Sequence, residues 1–172
     1  FQGPNGFSRK ARAASGAPVS ASQYYSFTRL ATSGSIAIDV DTLEVSGESW
    51  MDKEFGSGML GEDQVGWDWF SLQQDDGSEV MLYLLRRKDG SISHGSGTCI
   101  AADGTARHID VSDFRITVTA TWTSPASGAT YPSEWRLQLE GQDLLVRPLL
   151  SDQENFSKRI EGMFYWEGAV SV

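Results

Sequence analysis

The chain has one cysteine, two histidines and a shortage of basic residues: 14 Lys and Arg against 23 Asp and Glu, a net charge of −9 over 172 residues. A single cysteine, Cys99, excludes an internal disulfide, and its alternating surroundings suit a small buried hydrophobe rather than a nucleophile. His94 and His108 have neither metal-ligand spacing nor a Cys/His cluster beside them, so no zinc or other cofactor is expected. His94, within Ser-His-Gly-Ser-Gly, reads as an edge or turn residue. The acidic balance speaks against nucleic acid, whose phosphates need a basic stripe. It also disfavours tight attachment to anionic lipid, though not a lipid-facing barrel mouth. No apolar run approaches the ~20 residues that span a bilayer as a helix, so membrane contact would not be integral. Nor is there a convincing 3.6-residue hydrophobic period; only 151–161 has room for one short helical turn.

What the chain does have is strand after strand. Hydrophobic residues make up 40% and aromatics 11%, enough to exclude disorder and to build a core for one domain or two small ones. Alternation and β-branched or aromatic content predict strands over 23–30, 33–40, 43–54, 65–74, 78–87, 91–101, 105–110, 113–122, 133–140, 143–149 and 162–172. Asp76-Gly77, Asp89-Gly90 and Asp103-Gly104 lie between them and read as type I′ hairpin turns, hence an antiparallel meander. So many short strands mean an all-β barrel or sandwich. Residues 1–22, with Arg9, Lys10 and Arg12 clustered, read as an extended lead-in, whose opening FQGP suits either a cleaved-tag scar or native sequence. The glycine-rich, acidic stretch 56–63 is a candidate internal boundary, or else a longer hairpin loop.

Three segments set carboxylates beside large aromatics: Trp50-Met51-Asp52-Lys53-Glu54, Gly66-Trp67-Asp68-Trp69 and Tyr165-Trp166-Glu167-Gly168. Period-2 geometry puts Trp50, Asp52 and Glu54 on one face, Trp67 and Trp69 opposite Asp68, and Tyr165 with Glu167 opposite Trp166. Such an acid is either a strut that accepts an indole N–H or pairs with Arg9, Lys10, Arg29 or Arg136, or a proton donor with a raised pKa. At least one of the four acids is expected to be buried or half-buried. Paired carboxylates among tryptophans also suit sugar chemistry, but no spacing selects it.

At these residues the sequence resembles a known family. GPNGFSRKA at 3–11, SQYYSFTRL at 22–30, VSGESWMDKEFGS at 45–57, GWDWFSLQQDDGSEVMLYLLRRKDG at 66–90, TSPASGATYPSEWRL at 123–137 and DQEN…YWEGAVSV at 152–172 are similar to the lipocalin-like carotenoid 1,2-hydratases (hydroxyneurosporene synthases) and related predicted secreted hydrolases. The decalin-forming Diels–Alderases are more distant members. The resemblance implies antiparallel lipocalin-like β-barrels in a protein about twice this size, of which this is a C-terminal portion. On that reading 23–55 ends a first barrel, which an upstream N-terminal lipocalin-like domain would complete, and 56–172 forms most of a second. The alternative is a single barrel over 23–172. FQGP then looks native, and relatives continue past YWEG with a closing strand. Many relatives carry His where this chain has Lys53, so a mechanism needing imidazole there fails here. The resemblance also implies a bacterial protein, with secreted relatives favouring periplasm or cell envelope.

The activity so implied is acid-catalysed addition of water to a C=C bond of a long apolar isoprenoid or carotenoid-type molecule. From face geometry and aromatic context, Asp52 is the expected acid, Glu54 its partner and Asp68 the understudy. Trp50, Trp67, Trp69 and Tyr165 would line the ligand site and hold a tertiary cation, at ~2 kcal/mol or more per well-placed ring in a dry site. Glu167 joins them as a ligand-binding residue. Two other readings use the same lining: a non-catalytic carrier of a lipophilic small molecule, and a pericyclase that folds a polyene.

Overall fold

The computed structural model describes residues 5–8, 22–56, 61–156 and 164–172, and every regular element among them is a strand. FQGP, the basic cluster Arg9, Lys10 and Arg12, residues 57–60 of the glycine-rich stretch and 157–161 lie outside the described residues. The chain divides into two compact units, Phe1–Ile109 and Asp110–Val172. In the first, β1 (Asn5–Ser8), β2 (Ser22–Ile38) and β3 (Asp41–Gly56) form one sheet in that order. A second sheet is the meander β4 (Gln64–Gln73), β5 (Glu79–Arg87), β6 (Ile92–Ile100) and β7 (Ala106–Asp110). In the second unit, β8 (Phe114–Thr123), β9 (Thr130–Leu139) and β10 (Gln142–Pro148) run in series, and β13 (Val170–Ser171) pairs with β10. β11 (Glu154–Phe156) pairs with β12 (Phe164–Trp166). The pairings β1–β2, β2–β3, β4–β5, β5–β6, β8–β9, β9–β10, β10–β13 and β11–β12 are antiparallel, as the sequence pattern requires.

Several boundaries differ from expectation. The strands expected over 23–30 and 33–40 are one strand of 17 residues, because a bulge between Phe27 and Leu30 absorbs the irregularity that resembled a break. Residues 154–156, within the stretch with room for a helical turn, instead extend and pair, with Phe156 and Phe164 edge to face at 5.2 Å. The 162–172 strand divides at Gly168, over which Gln153 folds: its amide accepts from Ala169 N–H at 2.8 Å and donates to Leu150 O at 2.9 Å.

The three Asp-Gly hairpins exist, but with another turn. Only the glycines have positive φ, at 83°, 82° and 85°, so the loops are type I turns closed by a left-handed glycine. Each aspartate stays at negative φ, where its Oδ1 accepts the N–H two residues on, at 2.9, 2.9 and 2.8 Å. A true two-residue turn with both positions positive joins β9 to β10 at Glu140-Gly141.

Alternation sorts the β4–β7 sheet into two unlike faces. Phe70 and Leu72, Val80, Leu82 and Leu84, and Ile109 are buried together on one side. Gly97 completes that side, for a Cβ there would stand 2.5 Å from Leu82 Cδ2 and 2.7 Å from the Met81 carbonyl oxygen. Arg29 ties β2 to this sheet: its Nε donates to buried Glu79 at 2.6 Å, while Nη1 pairs with Glu48 and Nη2 reaches Gln74 O at 3.3 Å. The far end of the β2–β3 ribbon is exposed, Leu30, Ile36 and Ile38 sharing a face with Leu43 and Val45.

The second unit buries Phe114, Trp135, Leu137, Leu139 and Val146. Its loop 124–129 is held by Glu154, which accepts from Ser124 Oγ at 2.6 Å, Ser127 Oγ at 2.5 Å and Tyr131 OH at 2.6 Å. Burial works to raise the Glu154 carboxyl, but the three hydroxyl donors together outweigh it and hold it below the ordinary glutamate value. Burial, and then Glu154, push the Tyr131 phenol up to about 12. A carboxyl lowered on folding adds stability above its unfolded pKa and loses it as the pH falls through the folded one. The gap in melting temperature between wild type and Glu154→Gln is therefore expected to close as the pH drops below the ordinary glutamate value of about 4.3. The Tyr131 contribution is present below pH 10 and disappears towards pH 12, so Tyr131→Phe should flatten the alkaline limb.

Candidate functional site

The aromatic–acid face of β3 is built as its alternation requires, and β2 completes it. The register sets Ser26 opposite Asp52 and Tyr24 opposite Glu54, so these side chains share a face with Trp50. Asp52 Oδ1 accepts from Tyr24 OH, from Ser26 Oγ at 2.5 Å and from Trp50 Nε1 at 2.8 Å. From β4, Trp69 donates its indole N–H to Tyr24 OH at 3.2 Å and meets Trp50 edge to face at 6.3 Å. Burial, and then the acceptor Asp52, hold the Tyr24 phenol well above its ordinary value, so it stays a proton carrier. Ser26 is buried, Trp50 and Trp69 are half-buried, and Asp52 lies at the exposed margin.

The other expected site residues divide. Glu54 is on the Asp52 face and exposed. Trp67 shares the Trp69 face but is 46% exposed, so it forms a rim. Asp68 points to the opposite side of β4, as period 2 demands, and is the half-buried acid of the set. Burial raises its carboxyl against the opposing pull of Arg86, whose Nε lies 3.0 Å away with its N–H aimed aside. Asp68 is thus not brought to the Asp52 face. Tyr165 and Glu167 belong to the second unit, Tyr165 half-buried and paired with Asn155, and Glu167 exposed. Trp166, beside them, donates to Ser151 O at 2.9 Å and packs on Trp135 at 5.8 Å, a structural role.

Sequence reasoning missed Tyr24 and Ser26. Their alternation within SQYYSFT was visible; their pairing with a carboxylate 28 and 26 residues away was not. His94, expected at an edge or turn, lies within β6 opposite Leu85 of β5, with Nε2 3.0 Å from Tyr83 OH. Cys99 is half-buried; burial pushes its thiol up against the pull of Arg107, which leaves an inert thiol as expected.

The AttH-like family matches over residues 1–172. A Nitrosomonas europaea protein that bears the AttH name, solved by crystallography, superposes with a TM-score of 0.83 at 38% identity, covering 99% of this chain and 52% of its own. Kievitone hydratase from Nectria haematococca superposes with a TM-score of 0.64 at 17% identity, covering 80% of this chain and 43% of its own. No curated protein matches. The chain thus spans about half the length of the solved structures it matches. The all-β antiparallel reading holds, and the fold is the lipocalin-like one that kievitone hydratase shares. By its sequence along its whole length and by its fold, the chain belongs to the AttH-like family.

Proposed function

We propose that this chain is a C-terminal portion of a hydratase-like protein that adds water to a C=C bond of a long apolar, isoprenoid or carotenoid-type molecule. The observation that supports it is the group on Asp52: a carboxyl with one oxygen fixed by three donors, beside two indoles set edge to face. With Oδ1 so held, Oδ2 is the oxygen that would pass a proton to the alkene carbon. The π electrons form the new C–H bond and leave a tertiary cation, which the faces of Trp50 and Trp69 would stabilise. Water then adds to the cation and returns a proton to Asp52, so the carboxyl is regenerated. Glu54, on the same face, would orient that water.

The same three donors also favour a second reading, because a carboxylate held as an acceptor is what a strut looks like. On that reading the face is a passive lipocalin-like binding surface for a lipophilic molecule. An upstream lipocalin-like half is part of either proposal, in keeping with the greater length of the matched structures. The separate β1–β3 sheet supports ending one barrel near residue 55; the Trp69–Tyr24 bond and the Arg29–Glu79 pair, which join it to β4–β7, support a single barrel instead.

Tryptophan quenching by a C30 polyene, with mass analysis of the products, separates the two. Hydration predicts a product heavier by one water in wild type and a loss of at least about 100-fold in Asp52→Asn. Saturable binding with no product in either protein would leave the carrier reading.

A further inference from the structure

The sheet of β1, β2 and β3 has two faces of different character. Toward β4 lies the face of Tyr24, Ser26, Trp50 and Asp52, tied down by the bond from Trp69. The reverse face is largely apolar along its length. Tyr25 packs edge to face on Phe27 at 6.0 Å, and Phe27 stands opposite Met51. The bulge then absorbs one residue of β2, so Leu30 returns to the same side although it lies three residues from Phe27. Ile36 and Ile38 follow on β2, and Leu43, Val45 and Phe55 share the face with Met51 through the unbroken alternation of β3. Leu30, Ile36, Ile38, Leu43, Val45 and Phe55 range from 38% to 55% exposed. β1 pairs only with residues 23–26, so among the described residues the ribbon beyond Leu30 is two strands with both outer edges open. A two-stranded ribbon with a bare apolar face needs a cover to be stable in water.

We propose that this face seats the upstream lipocalin-like half of the protein, which packs on it as on a core surface. The inference rests on the reading of this chain as a C-terminal portion. Length selects the occupant: the Nitrosomonas europaea structure follows 99% of this chain yet is only 52% covered by it, so the same fold carries nearly as much chain again. Charge gives the chemistry of the cover. Every charged side chain from Leu30 to Asp52 is an acid, Asp39, Asp41, Glu44 and Glu48 among them. A second copy stacked on the ribbon would set acids against acids, and an anionic bilayer would repel them. An aliphatic strip bordered by Lys or Arg is attracted instead. The β1–β3 sheet is then a shared wall. One side carries the Asp52 group and its ties to β4–β7, and the other belongs to the core of the upstream half. Met51 alternates with Trp50 and Asp52, so that cover also steadies the site strand from behind.

The test times the reaction of single cysteines with a maleimide, read peptide by peptide by mass. It uses this 172-residue chain and the intact polypeptide as the cell makes it. Ile36→Cys and Leu43→Cys report the apolar face, while Ala37→Cys and Thr42→Cys, paired on the reverse face, are the controls. In the short chain all four should react at similar rates. In the intact polypeptide the apolar-face pair should slow at least about tenfold while the controls keep their rates. Hydrogen exchange over 30–49 in the unsubstituted proteins should show the same protection, and it needs no variant to fold. An intact polypeptide no longer than this chain overturns the upstream-half reading and this inference with it. A longer one whose apolar face reacts as fast as in the short chain overturns this inference alone. Slow labelling in the short chain that speeds up on dilution gives the face to a second copy. Slowing that appears only with phosphatidylcholine vesicles gives it to a membrane, and either result overturns the inference.

Discussion

Arg29→Ala is expected to destabilise the first unit by about 3–5 kcal/mol, because it strands the Glu79 carboxylate in a place with almost no water. The Glu79 side chain is only 3% exposed and receives Arg29 Nε at 2.6 Å, while the same guanidinium reaches Glu48 and Gln74 O. The hydrogen bond it donates to Glu79, and then the pull of Glu48, keep that arginine firmly charged. The loss should appear as a lower urea midpoint with an unchanged slope, read by both tryptophan emission and circular dichroism. A paired substitution, Arg29→Met with Glu79→Leu, isolates the cause. Removing both charges removes the uncompensated burial, so most of the stability should return. If the double variant is as unstable as Arg29→Ala, the pair acts by positioning β2 and not by neutralising Glu79.

The second large effect is expected where Leu82 meets Gly97. Leu82 is fully buried, and Leu82→Ala should cost about 2–5 kcal/mol through lost transfer energy and a residual cavity. Gly97→Ala should cost about 1–3 kcal/mol, because the new methyl meets Leu82 Cδ2 at 2.5 Å, the Met81 carbonyl oxygen at 2.7 Å and Ile109 Cδ1 at 2.9 Å. Two of those three atoms end aliphatic side chains, one of which Leu82→Ala deletes. The double variant should therefore lose less than the sum of the single losses, by roughly 0.5–3 kcal/mol of coupling. Strict additivity in a double-mutant cycle would show that the Met81 backbone alone sets the clash.

Much of this fold is local in origin and was readable from the chain. Trp67, Trp69 and Ser71 alternate with Asp68, Phe70 and Leu72, so strand β4 and its two unlike faces follow from a period of two. Each Asp-Gly marked a reversal because glycine accepts positive φ without a Cβ clash. The turn type was not readable, since it depends on whether the aspartate goes left-handed or stays behind to accept a backbone N–H. Nor was the unbroken length of β2, because a bulge and a strand end look alike in a one-dimensional pattern.

For the candidate site the division is sharper. Trp50 and Asp52 are two residues apart on one strand, so their shared face was determined by the sequence itself. The sequence likewise determined that Asp68 turns away from Trp69 and that the fold is all-β. Only the tertiary structure decided that Tyr24 and Ser26 converge on Asp52, that Arg29 neutralises Glu79, and that Tyr83 and His94 share a face with Trp69. The physical reason is strand register. A shift of one residue turns every side chain to the other face, and that register is set by burial and turns distributed over the whole sheet.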